Sequence, residues 1–231
     1  MKKIILFGLS LILLATTAVA NEQAKKKKMR YQAVPAQKAT LVQKGDAKAY
    51  CPVCGMTLPM FYKTNHAASH AKGESQYCSI HCLVEDKNAN GKKVNNLKVV
   101  DNTSLKLIPV KEAFYVVGSN KPATMAMVSK YAFAQKADAQ KFAKANGGEI
   151  KSFDDVYTMV SAELKKESAM IAKRQKKMQM MGGKVYNKMC KKTDKKFNNT
   201  AEAKTFVTKN KLCGNMKGKN LQAVGIYLSR R

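Results

Sequence analysis

Two cysteine pairs in the first half of the chain limit its possible structures more than any other feature. Two residues separate Cys51 from Cys54, and three separate Cys78 from Cys82. A tight turn at this spacing brings paired sulfurs to the same side, and the segment between the pairs is long enough to fold back. The pattern therefore predicts a site of metal or disulfide chemistry built from these cysteines.

Three kinds of site fit this spacing. A structural zinc site uses four cysteines, and a thioredoxin-like redox pair uses a motif similar to Cys-Pro-Val-Cys. A soft-metal site combines thiolates with thioethers, and Met56, which directly follows Gly55 and lies close to Met60, favours it. Cysteine and methionine ligands select Cu(I) over harder ions. Residues 44–50 do not form the apolar strand that should precede a thioredoxin-type pair.

The histidines are concentrated beside the cysteines. His66, His70 and His81 are the only three in the chain, and all lie within the same short segment. Random placement rarely produces such clustering, so we expect at least one of them to be a metal ligand. On a helix, the spacing of His66 and His70 would place both on one face. His81 lies between Cys78 and Cys82.

The N-terminal residues have the layout of a secretory signal peptide. Two lysines are followed by an apolar run from Ile4 to Ala15 and by the small residues Ala18-Val19-Ala20. The run is shorter than the roughly 20 residues that span a membrane. We expect cleavage of residues 1–20, a periplasmic mature protein and no stable membrane insertion. Because exported thiols tend to oxidise unless paired or metallated, a structural zinc site is less favoured, though not excluded.

The formal net charge of +28 raises the question of nucleic-acid binding. Almost all the basic residues are lysines, and they are spread along the chain without the interleaved arginine and aromatic residues of a nucleic-acid surface. The export signal also argues against a nucleic-acid partner. We therefore interpret the charge as a solvated, lysine-rich exterior and predict no nucleic-acid binding.

The order of the remaining elements predicts an α+β fold. Residues 21–48 are polar and rich in Lys, Ala and Gln, so we predict a flexible leader, with order beginning near Tyr50. Residues 49–164 are predicted to form a small mixed domain of short strands and helices. Its predicted strands are 95–100, 105–110, 113–118, 131–134 and 149–153, and its predicted helix 136–145 ends at Gly147-Gly148.

The rest of the chain is predicted to be helical. Residues 165–182 form a charged linker helix that Gly182-Gly183 closes, and residues 183–231 form a small all-α lobe. The lobe's main helices are predicted near 201–210 and 221–228.

An ordered set of motifs extends from about Tyr50 to Val160. These are Cys51-Pro52-Val53-Cys54-Gly55-Met56, Tyr77-Cys78-Ser79-Ile80-His81-Cys82-Leu83, Val116-Val117-Gly118-Ser119 leading to Met125, Asp138-Ala139 through Phe142-Ala143 to Asn146-Gly147-Gly148-Glu149-Ile150, and Phe153-Asp154. In this set the chain resembles the NosL family of accessory copper chaperones for nitrous oxide reductase.

This resemblance implies an α+β fold, a periplasmic location and delivery of Cu(I) toward the copper centres of nitrous oxide reductase. The Cys-Gly-Met ligands of the family correspond to Cys54 and Met56. Met125 and Met127 occupy the family's methionine position, and on an extended segment only one of them can face the site. The chain departs from the family pattern in lacking a lipid-bearing cysteine, in having Met125-Ala126-Met127 for a more usual Met-Gly, and in its extra C-terminal lobe.

The C-terminal lobe resembles a small c-type cytochrome domain, but it lacks the haem attachment motif. Thr193 and Asp194 stand where the second Cys and the His of Cys-x-x-Cys-His would follow Cys190, so covalent haem is not expected. A disulfide between Cys190 and Cys213 that staples the lobe is the preferred interpretation. The alternative is a second Cu(I) site that adds Met189 and Met216 to the two cysteines.

The sequence thus favours a Cu(I)-binding metallochaperone rather than an enzyme, with nitrous oxide reductase or its maturation factors as partners. Cys54 and Met56 are the predicted primary ligands. The candidates that complete the site are Cys51, Cys78, Cys82, His81, His66 and Met125. Two alternatives stay open: an exported thiol-disulfide oxidoreductase that uses Cys51 and Cys54, and a zinc-stabilised binding module.

Overall fold

Within residues 29–231, which the computed structural model describes, two small antiparallel sheets form the β part of the fold. The predicted signal peptide, residues 1–20, lies outside the described residues. The first sheet has the order β2-β1-β3-β4 and the second the order β6-β5-β7. The strands are β1 His66–His70, β2 Gly73–Tyr77, β3 Asn95–Val100, β4 Leu107–Pro109, β5 Phe114–Val117, β6 Lys130–Phe133 and β7 Glu149–Lys151.

Five α-helices of the described residues complete the fold, and together with the sheets they confirm the predicted α+β class. They are α1 Ile80–Val84, α2 Lys136–Asn146, α3 Phe153–Met189, α4 Thr200–Lys209 and α5 Gly218–Leu228. A 3-10 helix, Leu58–Thr64, precedes β1. No helix of residues 29–231 is long and apolar enough to cross a membrane.

The main core lies where the two sheets meet the first turns of α3. Val99, Tyr115, Val156 and Val160 are buried there, on β3, β5 and α3. A capping box begins α3: the Ser152 hydroxyl accepts the N–H of Asp155, while the Asp155 side chain accepts the N–H of Ser152. The start of this long helix is therefore fixed locally, and its first apolar face is packed on the sheets.

The helix α3 corrects the predicted end of the linker helix at Gly182-Gly183. It runs without interruption for 37 residues, from the α+β domain into the C-terminal lobe, and Gly182-Gly183 does not close it. A Cβ atom on Gly182 would clash with the Ala223 carbonyl oxygen on α5. These glycines therefore permit a close helix crossing instead of ending a helix. The sequence pattern of α3 alone does not show this role, because the partner helix α5 lies elsewhere in the chain.

The predicted flexible leader is wrong for residues 29–48, which pack onto the domain. Gln32 and Val34 are buried, and the Gln32 side-chain amide donates to the carbonyl oxygens of Pro122 and Ala123. Gln76 on β2 accepts the N–H of Val42 at 3.0 Å. Amide hydrogen bonds, rather than a periodic apolar face, hold this segment, which explains why its polar composition was misleading.

The C-terminal lobe contains the disulfide that the sequence predicts. Cys190 and Cys213 are joined, and this bond links the end of α3 to the loop that follows α4. Tyr186, Val207 and Val224 form the small core beside it. Because so small a core buries little apolar surface, the crosslink supplies a substantial share of the lobe's stability.

Removing this crosslink should destabilise the lobe. We expect the Cys190→Ser/Cys213→Ser double variant to lower the free energy of unfolding by about 3 kcal/mol, because the unfolded chain regains the entropy of an open loop. Urea denaturation followed by far-ultraviolet circular dichroism measures this. Equal midpoints for the variant and the parent protein would contradict the expectation.

Gly182→Ala should also destabilise the protein, although alanine is the better helix former. The added methyl group meets the α5 backbone, so we expect a loss of about 1–3 kcal/mol, opposite in sign to the helix-propensity gain. Gly183→Ala is the matched control, because a Cβ there meets only the Tyr227 ring, at 3.1 Å. Thermal unfolding of both variants tests whether Gly182→Ala is the less stable of the two. A Gly182→Ala variant more stable than the parent protein would refute the close crossing.

Candidate metal centre

Four cysteine sulfurs converge in one buried cluster. Those of Cys51, Cys54, Cys78 and Cys82 all lie within 4.8 Å of one another, and none is in a disulfide. The sulfurs of Cys54 and Cys78 are 3.4 Å apart, and those of Cys78 and Cys82 are 3.7 Å apart. The two pairs that the sequence singled out therefore lie together, as a set of donors able to surround one ion.

A tight turn presents the first pair. The N–H of Cys51 donates to the Met56 carbonyl oxygen at 2.8 Å, and the N–H of Gly55 donates to the Cys51 carbonyl oxygen at the same distance. Gly55 has a φ of +70°, a left-handed conformation that glycine adopts without strain. We call residues 51–56 the cysteine loop.

The second pair comes from the junction of β2 and α1. Cys78 directly follows the last residue of β2, and Cys82 lies in the first turn of α1. The Thr64 hydroxyl donates to the Cys78 carbonyl oxygen at 2.8 Å and so fixes the junction. The chain reversal between strand and helix points both sulfurs toward the cysteine loop.

The close packing of the sulfurs shifts the pKa values of Cys51, Cys78 and Cys82. Burial raises the pKa of the Cys51 thiol, but hydrogen bonds from Cys54, Cys78 and Cys82 outweigh it and hold that pKa well below its usual value. The same hydrogen bonding to Cys51 and Cys54 raises the pKa of Cys78 and Cys82 well above the usual value. Mutual repulsion thus prevents all four thiols from ionising together unless a cation joins them.

Two thioethers lie at the edge of this cluster. Met56 and Met125 pack against the cysteine core, and Met125 has a φ of +55°. Met127 is 66% exposed, so of this pair Met125 is the one at the cluster. A cleft of about 380 Å³ leads there from the surface. Its sulfur-bearing lining residues are Cys54, Met56, Met60, Met125 and Met178.

The NosL family model matches residues 42–161. The chain belongs to the NosL family. A solved structure that aligns with it, the crystal structure of the copper chaperone NosL from Shewanella denitrificans, is 23% identical with a TM-score of 0.39 and covers 48% of this chain and 92% of that chain. A comparison with curated protein sequences finds no match. Residues 42–161, hereafter the NosL domain, contain the whole sulfur cluster.

His66 does not reach the sulfurs of the NosL domain, contrary to its selection as a candidate ligand. It lies on β1 rather than on a helix, and its ring nitrogens are bonded to the Thr64 carbonyl oxygen and the Tyr115 hydroxyl, each at 3.1 Å. Burial lowers its pKa to about 4. His66 is therefore a neutral core residue that joins β1 to β5.

His81, the other histidine candidate, is occupied by carboxylates. Its Nδ1 lies 3.1 Å from Glu167, and its Nε2 lies 3.5 Å from Glu85. Burial lowers the pKa of His81, but hydrogen bonds to Glu167 and Glu85 outweigh it and raise the pKa to about 9. His81 is outside the sulfur cluster, and its contact with Glu167 ties α1 to α3.

Sequence analysis missed two polar residues that contact the cysteine loop from outside the NosL domain. Lys204 on α4 is 1% exposed, and its Nζ donates to the Gly55 carbonyl oxygen at 2.6 Å and to Gln222 Oε1 at 2.8 Å. Gln222 on α5 donates to the Cys54 carbonyl oxygen at 2.9 Å. The one available signal was the position of Lys204, between Ala203 and Val207 on the apolar face of α4.

The burial of His66 gives a testable pH dependence. Its pKa is about 4 in the folded protein and 6.5 ordinarily, so the unfolded chain binds the additional proton. We expect the free energy of unfolding to fall as pH decreases from 6.5 toward 4, by up to about 3 kcal/mol from this residue. His66→Gln should flatten that slope in urea titrations across this pH range; an unchanged slope would contradict the assignment.

Proposed function

We propose that this protein is a periplasmic Cu(I)-binding metallochaperone that delivers copper for the maturation of nitrous oxide reductase. The observation that carries the proposal is the cluster of four cysteine sulfurs with two thioethers at its edge. Thiolate and thioether donors suit a soft monovalent ion better than the hard cations that prefer oxygen. Copper is the cargo here, and no catalytic step is assigned to the chain.

Cys54 and Met56 are the proposed primary ligands, because they connect the cluster to solvent. Of the four clustered cysteines, Cys54 alone lines the open cleft, and Met56 and Met125 line it as well. An incoming ligand from a recipient protein can reach the ion through this cleft. Transfer then proceeds by exchange: each new bond to Cu(I) replaces one bond to a sulfur of this chain, and the ion stays monovalent throughout.

Different observations support the proposed recipient of the copper and the proposed periplasmic location of the protein. Membership of the NosL family supports nitrous oxide reductase, or its maturation factors, as the recipient. The N-terminal sequence pattern supports export to the periplasm. An exported location also fits the lobe disulfide, since such bonds persist in oxidising compartments.

A zinc-stabilised binding module is the second candidate, and two of the sulfur separations support it. Zn–S bonds of about 2.3 Å in a tetrahedron place the sulfurs about 3.8 Å apart. The observed separations of 3.4 Å and 3.7 Å fall near that value. The thioethers at the cleft distinguish the two functions, because a closed zinc site has no use for them.

The thiol-disulfide oxidoreductase alternative has less support. In that class of enzyme the second cysteine lies on a helix that opens at the motif. Here Gly55 turns the chain back after Cys54, and Tyr50 pairs with Thr57 as an antiparallel bridge. Cys51, the first cysteine of the motif, is fully buried and does not line the cleft, so its sulfur is not exposed to attack another protein's disulfide.

Cu(I) competition titrations under anaerobic conditions test the copper proposal. We expect Cys54→Ala/Met56→Leu to weaken Cu(I) binding at least tenfold, because it removes both proposed primary ligands. Met127→Leu is the matched control, since Met127 is exposed and away from the cluster. Equal affinity in the double variant and the parent protein would refute the assignment, and retention of zinc in preference to Cu(I) would favour the zinc module.

A further inference from the structure

The C-terminal lobe holds the backbone of the cysteine loop. Gln222 donates to the Cys54 carbonyl oxygen at 2.9 Å, and Lys204 donates to the Gly55 carbonyl oxygen at 2.6 Å. Lys204 and Gln222 also bond to each other at 2.8 Å. We call these two side chains the loop clamp. It binds the consecutive carbonyl groups that lie between the two proposed primary ligands.

The contact between lobe and loop is also sterically close. A Cβ atom on Gly55 would lie 2.5 Å from Cγ2 of Thr200, the first residue of α4. The loop therefore needs glycine both for its left-handed turn and for the approach of α4. Displacing α4 and α5 would remove the clamp and the packing together, and the turn would keep only its own hydrogen bonds.

Lys204 has an unusual electrostatic environment. Its ammonium group is buried, yet no carboxylate of the part of the chain that the structure describes lies within ion-pair distance of it. Burial lowers the pKa of Lys204 to about 7, and negative charge on the nearby Cys54 and Cys51 sulfurs acts in the opposite direction. The Tyr50 ring lies 4.1 Å from its Nζ and adds a weaker attraction. A buried cation without an ion-pair partner is costly, and additional negative charge beside it stabilises the protonated form.

The loaded sulfur cluster supplies such negative charge. Thiolates bound to a monovalent ion carry more negative charge than the ion neutralises, and the excess is unfavourable in a buried site. A fixed ammonium group on the adjacent peptide offsets part of it. The same group keeps the loop in the conformation that directs both primary ligands to the ion.

We propose that the C-terminal lobe is a cap that retains the cargo ion, with Lys204 as its positioning and charge-compensating residue. Docking of the lobe and binding of Cu(I) are then coupled, and each strengthens the other by the same factor. A recipient that displaces the lobe lowers the affinity for copper at the moment of transfer. This inference rests on the proposed copper-binding function.

A purely structural contact predicts a different outcome. If the clamp only joined the lobe to the NosL domain, its loss would lower stability and leave the affinity for Cu(I) unchanged. Lys204→Met separates these cases, because methionine keeps an unbranched chain of similar length and removes the charge. Lys209→Met is the matched control: Lys209 lies on the same helix, exposed, and pairs with Asp46 at the surface.

The test uses the full mature chain and two measurements. Anaerobic competition with a Cu(I) chelator should show affinity about tenfold weaker in Lys204→Met, weaker to a smaller extent in Gln222→Leu, and unchanged in Lys209→Met. Hydrogen exchange of the parent protein should be slower in α4 and α5 with Cu(I) than without it. The second measurement needs no variant, so it stands even if Lys204→Met fails to fold.

Two results would overturn the inference, and they have different consequences for the proposed function. The cap is refuted, and the proposed function stands, if the parent protein binds Cu(I) but Lys204→Met binds it equally tightly. The same conclusion follows if the parent protein binds Cu(I) but hydrogen exchange in α4 and α5 is equally fast with and without it. If the parent protein does not bind Cu(I), both are refuted.

Discussion

The mutual repulsion of four ionisable sulfurs governs this structure. Cys51, Cys54, Cys78 and Cys82 are buried within 4.8 Å of one another, and only shared protons or a cation can neutralise them there. The surrounding elements keep these groups together despite that cost. The cysteine loop and the β2–α1 junction supply the sulfurs, α3 anchors α1 through His81, and α4 and α5 hold the loop from the other side.

The fold was predictable where local patterns decide it. The strands near β3 to β6 and the helix ending at Gly147 follow from β-prone runs, helical spacing and a glycine cap, and the structure places them within a few residues of expectation. Residues 29–48 and Gly182 were misread because their roles depend on partners distant in sequence. A buried glutamine amide and a helix crossing leave no periodic signal in the segments that contain them.

In the metal centre, too, arrangements set by neighbouring residues could be predicted, and contacts between residues distant in sequence could not. Cysteine spacing indicated that the four sulfurs would lie together, since each pair lies on a single turn or junction. Clustering along the chain suggested histidine ligands, but His66 bonds to Tyr115 of the other sheet, and a charged contact directs His81 toward Glu167. Lys204 lies 149 residues after Gly55 of the loop that it contacts, so no sequence motif connects the two.

X-ray absorption spectroscopy at the copper edge, on protein loaded anaerobically, tests the central claim most directly. A Cu(I) ion held by the cysteine cluster with Met56 or Met125 has only sulfur neighbours, and substitution of Cys54 should change their number or distances. We predict a first shell fitted entirely by sulfur. A first shell that requires imidazole nitrogen, or a Cu(I) spectrum unchanged by loss of Cys54, would contradict the account.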